Sequence, residues 1–265
     1  MAVNTDKNSY TILFAIAMVV VVGSLLAFTA SSLKPAITKN KEIEKQQNIL
    51  YAMGINANEG TGDIAFVAKA EVVDAFASNV SEQIVLEVKD GKILKEMTRE
   101  EFMKSKDQGA GKEPYLIDIK KEQTKAKNGE SRFLPLFKGQ QNGKTVYVTA
   151  VRGKGLWDAI WGYISLDKDM VVQGAFFDHA GETPGLGANI KQRYFMDDFN
   201  GEKLFSDAGA FKGIKVAKGN NDPVNKIKDD NEIDALAGAT ITGDGVSAMI
   251  KKDLKLYLPY FKNLN

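Results

Sequence analysis

The sequence predicts one N-terminal transmembrane helix followed by a mixed, mostly antiparallel α/β (α+β) domain. Three observations favour this fold class. An uncharged apolar run lies near the N-terminus, alternating apolar segments separated by turn residues fill the middle, and a helical apolar pattern closes the chain. We therefore expect a tail and anchor over residues 1–31, a membrane-proximal helix over 32–55 and a folded domain over 56–265.

The apolar run over residues 11–30 reads TILFAIAMVVVVGSLLAFTA and contains no charged side chain. A helix of about 20 apolar residues crosses a hydrocarbon core of about 30 Å. A cleaved signal peptide is the alternative, but its apolar region is about 7–15 residues long and ends in a small-x-small site. Here the run is longer, and Phe28 lies where a small residue would precede a cut after Ala30. The sequence thus favours an uncleaved single-pass anchor.

The charges that flank this span leave its orientation open. Lys34, Lys39, Lys41 and Lys45 follow the span, whereas Lys7 and the amino terminus precede it. The positive-inside rule alone would keep the following domain in the cytoplasm, although long domains translocate largely regardless of flanking charge.

Helical spacing continues after the span. Apolar residues among charged ones from Ile37 to Met53 predict an amphipathic helix that ends at Gly54. Residues 72–76 predict a helix and residues 84–88 a strand. The polar, lysine-rich remainder before the next strand predicts a solvent-exposed face without chemistry.

The middle of the chain has the composition of a sheet. β-branched and aromatic residues alternate with polar ones, and Asn142-Gly143 is typical of a two-residue hairpin. Because these strands are close in sequence, we expect a mostly antiparallel sheet, followed by a short amphipathic helix over residues 190–199. The predicted strands cover residues 133–137, 145–151, 160–166 and 170–177.

Composition excludes several classes of site. With 35 basic and 34 acidic residues, a net charge of +1 and no basic tract, a nucleic-acid partner is not expected. The absence of cysteine excludes disulfides, thiolate metal sites and a cysteine nucleophile. A single histidine, His179, leaves no multi-histidine zinc site, so we expect no metal centre.

The segment DALAGATIT, residues 234–242, precedes the last predicted helix. We expect this helix to begin just after Thr242, with Thr242 or Asp244 as its N-cap, and to end at Pro259. The backbone N–H groups of a first helical turn have no intrahelical partner, and together with the helix dipole they stabilise a phosphate.

Small side chains precede that helix. Gly238 and Ala239 would let a bulky group approach the backbone, and Thr240 offers it a hydroxyl. A plain capped turn without a ligand is the alternative.

A second notable segment, DHAGETPGLGA, covers residues 178–188. Its three glycines and one proline predict a shaped loop with positive-φ positions, suited to closing over a flat ligand. It is not a dinucleotide-binding GxGxxG motif. His179 is either a proton donor or, the interpretation we favour, a structural hydrogen-bonding residue at the strand end.

Four segments together carry a resemblance. Residues 234–240 resemble the flavinylation motif of bacterial proteins that carry FMN through a phosphoester to the last threonine of the motif. With HAGETPGLG (179–187), GKGLW (153–157) and QQNILYAMGI (46–55), most of the chain is similar to the family of the C subunits of sodium-translocating NADH:quinone oxidoreductases, whose domains bind FMN. That family usually has Ser or Thr where this chain has Ala237, but the acceptor Thr240 is retained.

The resemblance implies that a separate flavin transferase attaches FMN covalently to Thr240. The protein would then relay electrons from NADH towards ubiquinone among the other subunits of a sodium-translocating complex, and would not be active alone. It also implies a bacterial inner-membrane protein, in contact with lipid, whose FMN domain is periplasmic. The G subunit of the related ion-translocating Rnf complex is the nearest alternative, and the length of residues 56–130 favours the C-subunit family. A membrane-anchored binding module without cofactor is an alternative of another class.

The resemblance also assigns roles near the flavin. Leu186 would pack on the isoalloxazine face, with the backbone of its loop, including Gly185, at the ring edge. Thr183 would meet a polar edge of the ring. Trp157 would form a second wall, or else be a core tryptophan beside a strand end.

We expect two acidic residues to act without packing on the ring. Glu182 would disfavour the anionic reduced ring if it lies near the flavin, or else would face solvent. Asp234 would be recognised by the transferase. We expect no catalytic residue, because FMN itself would carry the redox chemistry.

Overall fold

The computed structural model describes residue 5 and residues 7–60, 62–105, 111–219, 221–222 and 224–264. Most of the predicted N-terminal tail therefore lies outside the described residues. The chain divides into two compact units, Met1–Ile43 and Glu44–Asn265.

The first unit contains most of helix α1, Asn8–Ala52, which is 45 residues long. Its N-terminal part is long and apolar enough to cross a membrane, and its large apolar side chains are exposed. This fits the predicted single-pass anchor. The sequence suggested a span and a separate amphipathic helix, whereas one helix runs through both, with Pro35 inside it.

The second unit contains the sheet and the shorter helices. Its strands among the described residues are β1 Val80–Lys89, β2 Lys92–Thr98, β3 Arg132–Gln141, β4 Lys144–Lys154, β5 Ala159–Leu166, β6 Val172–His179, β7 Lys215–Val216 and β8 Glu232–Ile233. Its α-helices are α2 Val72–Asn79, α3 Arg99–Lys104, α4 Ile119–Lys127, α5 Arg193–Asp197, α6 Thr240–Leu254 and α7 Leu258–Lys262. Short 3₁₀ segments cover Pro114–Leu116 and Gly187–Lys191.

Six strands form one sheet in the order β2-β1-β3-β4-β5-β6, with every neighbouring pair antiparallel. Strands β7 and β8 form a separate parallel pair. The predicted, mostly antiparallel arrangement is therefore confirmed. Positive φ at both Asn142 (50°) and Gly143 (76°) gives the β3–β4 turn the geometry preferred by two-residue hairpins.

The last turns of α1 belong to the hydrophobic core of the second unit. Ile49, Leu50 and Met53 are completely buried, and the backbone of Ala52 lies so close to Gly174 of β6 that a Cβ there would overlap it. The helix stops where predicted: Gly54 adopts φ +75°, and the Ile55 N–H donates to the Leu50 carbonyl at 2.9 Å.

Helix α6 packs against the end of β4 through closely approaching backbones. A Cβ at Gly153 would lie 2.8 Å from the Met249 Cβ, and one at Gly245 would overlap the Lys154 carbonyl. The apolar face expected from the sequence is buried, because Met249, Ile250 and Leu254 all belong to the core. This packing brings the first turn of α6 beside the connection between β4 and β5.

Three predicted details of the C-terminal half are wrong. Helix α6 begins at Thr240, not after Thr242, and ends at Leu254. Pro259 occupies the first turn of α7, where its missing N–H costs nothing. The helix expected over residues 190–199 is split, because Gln192 is extended (φ −75°, ψ 146°) between a 3₁₀ segment and α5.

Candidate functional site

Three segments that are far apart in sequence meet beside the N-terminus of α6. They are the β4–β5 connection, the loop after β6 and the turn that leads into α6. Glu182 of the loop contacts the other two, since its carboxylate accepts from the Thr242 hydroxyl at 2.5 Å and from the Trp157 N–H at 2.9 Å. The motifs GKGLW (153–157), HAGETPGLG (179–187) and AGAT (237–240), which we singled out separately, therefore meet in one place, whereas Asp234 contacts other residues.

The acceptor predicted for FMN is the first residue of α6. The Thr240 side chain is exposed, and no side chain caps this helix. The first α-helical bond of α6 runs from the Gly243 N–H to the Ala239 carbonyl at 3.0 Å, so the N–H groups of the preceding helical residues lie ahead of the ladder. An exposed hydroxyl thus stands at an uncapped helix N-terminus, where the dipole favours an anion.

Neither residue predicted as the N-cap fulfils that role. The Thr242 hydroxyl is turned inward and donates to Glu182, and Asp244 is exposed and pairs with Lys218 Nζ at 3.1 Å. Both lie within the helix because it begins at Thr240, ahead of them.

The turn before α6 requires a glycine. Gly238 has φ +67°, a region that L-residues rarely adopt, and a Cβ there would lie 2.8 Å from Leu186 Cδ2. Ala239 is buried beside it. The small residues therefore admit the Leu186 side chain, which bridges the loop after β6 and the α6 turn.

Exposed apolar side chains surround this turn, which is unusual for residues of their size. Trp157 is 66% exposed, Leu186 42% and Ile241 59%. The alternative that Trp157 is a core tryptophan is therefore wrong. Its indole N–H donates to the Thr183 hydroxyl at 3.1 Å, and Gly185 adopts φ +77° in the same loop.

Glu182 is only 4% exposed, so the alternative that it faces solvent is wrong. Burial by itself would raise the pKa of this carboxyl. The hydrogen bonds from the Thr242 hydroxyl and from the N–H groups of Trp157 and Asp158 outweigh burial, and the pKa lies below its usual value. Glu182 is therefore a buried, ionised carboxylate at neutral pH.

His179 ends β6 and is half-buried. The Glu182 N–H donates to His179 Nδ1 at 3.1 Å, so this ring nitrogen is the acceptor of the bond. The ring thereby holds the start of the loop, which is the structural role favoured from the sequence.

Asp234 faces a different set of residues. Its carboxylate accepts from the Val224 N–H at 3.2 Å, and its own N–H donates to Asp198 at 2.8 Å. Asp234 thus anchors the segment after β8 to the residues that follow α5. Sequence reasoning missed Thr242 as a site residue, although a second hydroxyl two positions after the acceptor was a visible signal.

The arrangement suits a phosphate monoester that carries a flat, apolar ring system. The phosphate would lie at the α6 N-terminus and the ring between the exposed side chains of Leu186 and Trp157. No group of three or more His, Cys, Asp or Glu side chains in the described part of the chain is placed to hold a metal ion.

Comparison with known proteins finds a related domain family and relatives of similar length. The FMN-binding domain family matches residues 155–255, which include all three segments of the site. The C subunit of the Na⁺-translocating NADH-quinone reductase from Pseudomonas aeruginosa is 29% identical over 251 residues, covering 93% of this chain and 91% of that protein. The corresponding protein of Neisseria meningitidis serogroup A is 27% identical over 276 residues, covering 100% and 98%.

Solved structures give the same result for the fold. The crystal structure of the C subunit of this reductase from Parabacteroides distasonis has a TM-score of 0.66 and 27% identity, covering 86% of this chain and 96% of that one. The Shewanella oneidensis NqrC structure, at 23% identity, shares the fold with a TM-score of 0.60 over 85% and 98%. The match to the FMN-binding domain family, the near full-length relatives and the shared fold together show that this chain is similar, along most of its length, to the C subunits of Na⁺-translocating NADH-quinone reductases.

Proposed function

We propose that this chain carries FMN as a phosphoester on Thr240 and relays electrons within a Na⁺-translocating NADH-quinone reductase. One observation carries the proposal. Within an FMN-binding domain, an exposed threonine hydroxyl stands at an uncapped helix N-terminus, beside apolar side chains left exposed.

Attachment forms one bond and breaks another. The Thr240 hydroxyl oxygen bonds to the phosphorus of the FMN portion of a flavin dinucleotide, and the bond from that phosphorus to the departing nucleoside monophosphate breaks. The hydroxyl proton passes to solvent, and no electrons are transferred in this step. A separate flavin transferase supplies the catalysis, and in our proposal it recognises Asp234. Thr240 is thus an attachment point, and no residue of this chain is catalytic.

The side chains around Thr240 would orient the ring once it is attached. Leu186 offers one apolar wall and Trp157 another, and the hydrogen bond from Trp157 to Thr183 fixes the indole edge before any flavin arrives. Thr183 and the backbone at Gly185 would face the polar edge of the ring. Because these walls are exposed, a flavin held there remains within reach of redox partners on other subunits.

The buried Glu182 carboxylate influences the potential of the flavin that would be bound beside it. FMN supplies the electron transfer, and its reduced ring gains negative charge when it is anionic. A nearby fixed negative charge disfavours that form and lowers the reduction potential. Glu182 would thus act on the flavin through charge as well as through the loop that it holds.

The chain would act as a membrane-anchored subunit. We propose an anchor in residues 1–31, a membrane-proximal helix in 32–55 and the FMN domain in 56–265, with α1 in contact with lipid in the bacterial inner membrane. The FMN domain would lie in the periplasm. Protease added to intact spheroplasts should then cleave the domain, and a domain left untouched would place it in the cytoplasm instead.

The covalent link is tested on the full-length protein made in a host that contains the flavin transferase. We expect a fluorescent band after denaturing electrophoresis and an FMN mass increment on the peptide that contains Thr240. Thr240→Ala should abolish both signals, whereas Thr124→Ala, at a threonine on α4, should leave them unchanged. An unmodified peptide in the wild-type protein would favour a binding module without cofactor.

A further inference from the structure

All three segments of the site converge on one buried carboxylate, that of Glu182. Its donors are uncharged: the Thr242 hydroxyl at 2.5 Å, the Trp157 N–H at 2.9 Å and the Asp158 N–H at 3.4 Å. Among the described residues, no basic side chain forms an ion pair with Glu182. The carboxylate is therefore held by the Thr242 hydroxyl and by two backbone N–H groups, and these hydrogen bonds also fix the positions of the three donors.

Glycines on two sides leave room for this carboxylate. A Cβ at Gly155 would lie 2.5 Å from Glu182 Oε1, and a Cβ at Gly187 would overlap Oε2 and lie 2.6 Å from the Thr242 hydroxyl oxygen. Any larger residue at either position would displace the carboxylate or its partner. The two glycines therefore form a close-fitting space that holds the Glu182 carboxylate against α6.

The hydrogen bond to Glu182 fixes the rotation of the first turn of α6. Thr242 is only 1% exposed, and it follows Thr240 by two positions. Successive residues turn by about 100° around an α-helix axis, so residues two apart point in nearly opposite directions. Holding Thr242 inward therefore turns Thr240 outward.

The same carboxylate also fixes the spacing of the two apolar walls. It binds the backbone N–H of Trp157 directly, and its own residue immediately precedes the tight turn in which the Leu186 N–H donates to the Thr183 carbonyl at 3.1 Å. The Glu182 carboxylate thereby fixes the relative positions of the Thr240 hydroxyl, the Trp157 indole and the Leu186 side chain.

We infer that Glu182 and Thr242 form a positioning pair that presents the Thr240 hydroxyl and the free N–H groups of α6 to the flavin phosphate. This inference rests on the proposed attachment to Thr240 and identifies what makes that site competent. Neither residue touches the reacting atoms. Both act through the orientation of the helix turn and the loop.

The first test compares rates of flavin incorporation into the full-length protein co-produced with its transferase. Thr242→Val keeps the shape but removes the donor, and we expect incorporation to slow about tenfold or more, as for losing one hydrogen bond to a charged group. Thr242→Ser restores the donor and should restore the rate. The matched control is Thr149→Val, because Thr149 is also buried and donates only to the Ile164 carbonyl within the sheet.

Both valine variants lose one buried hydroxyl hydrogen bond. The control therefore separates misorientation of the first turn of α6 from a general loss of stability. A Thr242→Val protein that acquires flavin as fast as Thr149→Val would overturn the inference. If the Thr242→Val protein does not accumulate, the rate of flavin incorporation into Glu182→Ala tests the positioning pair instead. Glu182→Ala should slow incorporation as strongly, and incorporation at the wild-type rate would overturn the pair.

A second readout does not depend on the rate of attachment. Glu182→Gln keeps the size of the side chain and removes its charge, so the flavin that is attached should have a more positive midpoint potential. An unmodified wild-type peptide would refute the proposed attachment itself. A modified wild type with unaffected Thr242→Val and Glu182→Ala variants would refute only the positioning pair.

Discussion

Trp157 donates its indole N–H to the hydroxyl of Thr183 at 3.1 Å, although both side chains are exposed. This bond joins the β4–β5 connection to the loop after β6 at the protein surface. Trp157 is exposed, so packing in the core does not hold its side chain in place. The hydrogen bond holds the indole in one orientation instead, which leaves one face of the ring available for packing. Trp157 lies within residues 155–255, which match the FMN-binding domain family, and in our proposal the flat ring of the flavin packs against its face.

Replacing Trp157 should increase the mobility of the attached flavin without preventing attachment. Trp157→Phe keeps an aromatic face but loses the hydrogen bond, and Trp157→Ala loses both, so we expect flavin fluorescence anisotropy to fall progressively. Trp161→Phe is the control, because Trp161 alternates to the other sheet face from Ile160, whose side chain approaches Gly155. Equal anisotropy in wild type and Trp157→Ala would remove Trp157 from the site.

Leu186→Ala should loosen the packing of the ring while leaving the ester intact, because the bond is made at Thr240. We expect a changed visible spectrum and a shifted midpoint potential with normal flavin content. Leu94→Ala, at a similarly exposed leucine on β2, should change neither. An unchanged spectrum and potential in Leu186→Ala would count against this contact.

Gly238→Ala should destabilise the domain for two separable reasons. The positive φ of 67° costs an L-residue about 1–2 kcal/mol, and the new Cβ would press on Leu186 Cδ2. Gly91→Ala incurs only the backbone cost of a positive φ, because Gly91 has φ +73° and no atom lies within 4 Å of a Cβ placed there. Chemical unfolding should therefore show a larger loss for Gly238→Ala than for Gly91→Ala.

Adding Leu186→Ala to Gly238→Ala tests the origin of that extra loss. If the clash causes it, the double variant should lose less stability than the sum of the two single variants. Strictly additive losses would mean that the leucine does not press on the turn.

Local patterns were sufficient to predict much of this fold. The anchor, the four central strands and the Asn142-Gly143 hairpin follow from residue periodicity and turn chemistry, which act over a few positions. Strand β2 escaped prediction because it is an edge strand with only Met97 buried, so it shows no alternation of apolar and polar residues. The start of α6 was mistaken because a threonine that resembles a cap is committed to a distant partner.

The buried state of Glu182 could not be read from its own segment. Its partners Trp157 and Thr242 lie 25 and 60 positions away, and the glycines that make room for it come from two different segments. The sequence shows that a glutamate lies in a glycine-rich loop, but not that the loop folds the carboxylate inward. Only the packing of α6 on β4 determines that.

A second buried carboxylate should make the stability of the domain depend on pH. Glu202 is completely buried, and burial raises its pKa to about 7 against the opposing effects of Asn225 and Lys228. Asn225 Nδ2 donates to Glu202 Oε1 at 2.9 Å, whereas Oε2 has no hydrogen-bond partner among the described residues. The protonated form is therefore the better suited to this site.

The sign follows from proton binding. The folded state holds the Glu202 proton more tightly than the unfolded state, whose pKa is near 4.5. Stability from this group is complete below pH 4.5, falls as the pH rises to about 7 and is then constant. Glu202→Gln should remove this dependence and stabilise the domain at pH 8 by roughly 1–3 kcal/mol.

The measurement is the denaturant midpoint of wild type and Glu202→Gln at pH 5 and pH 8. Asp253, another buried acid with a raised pKa, is not among the groups that shift Glu202 and contributes equally to both proteins, so the difference between the two pH dependences reports on Glu202 and the groups it contacts. The variant should gain stability relative to wild type as the pH rises. Parallel pH dependences in the two proteins would mean that Glu202 is ionised in the folded state well below pH 7, with the Lys228 ammonium at 3.7 Å compensating for burial.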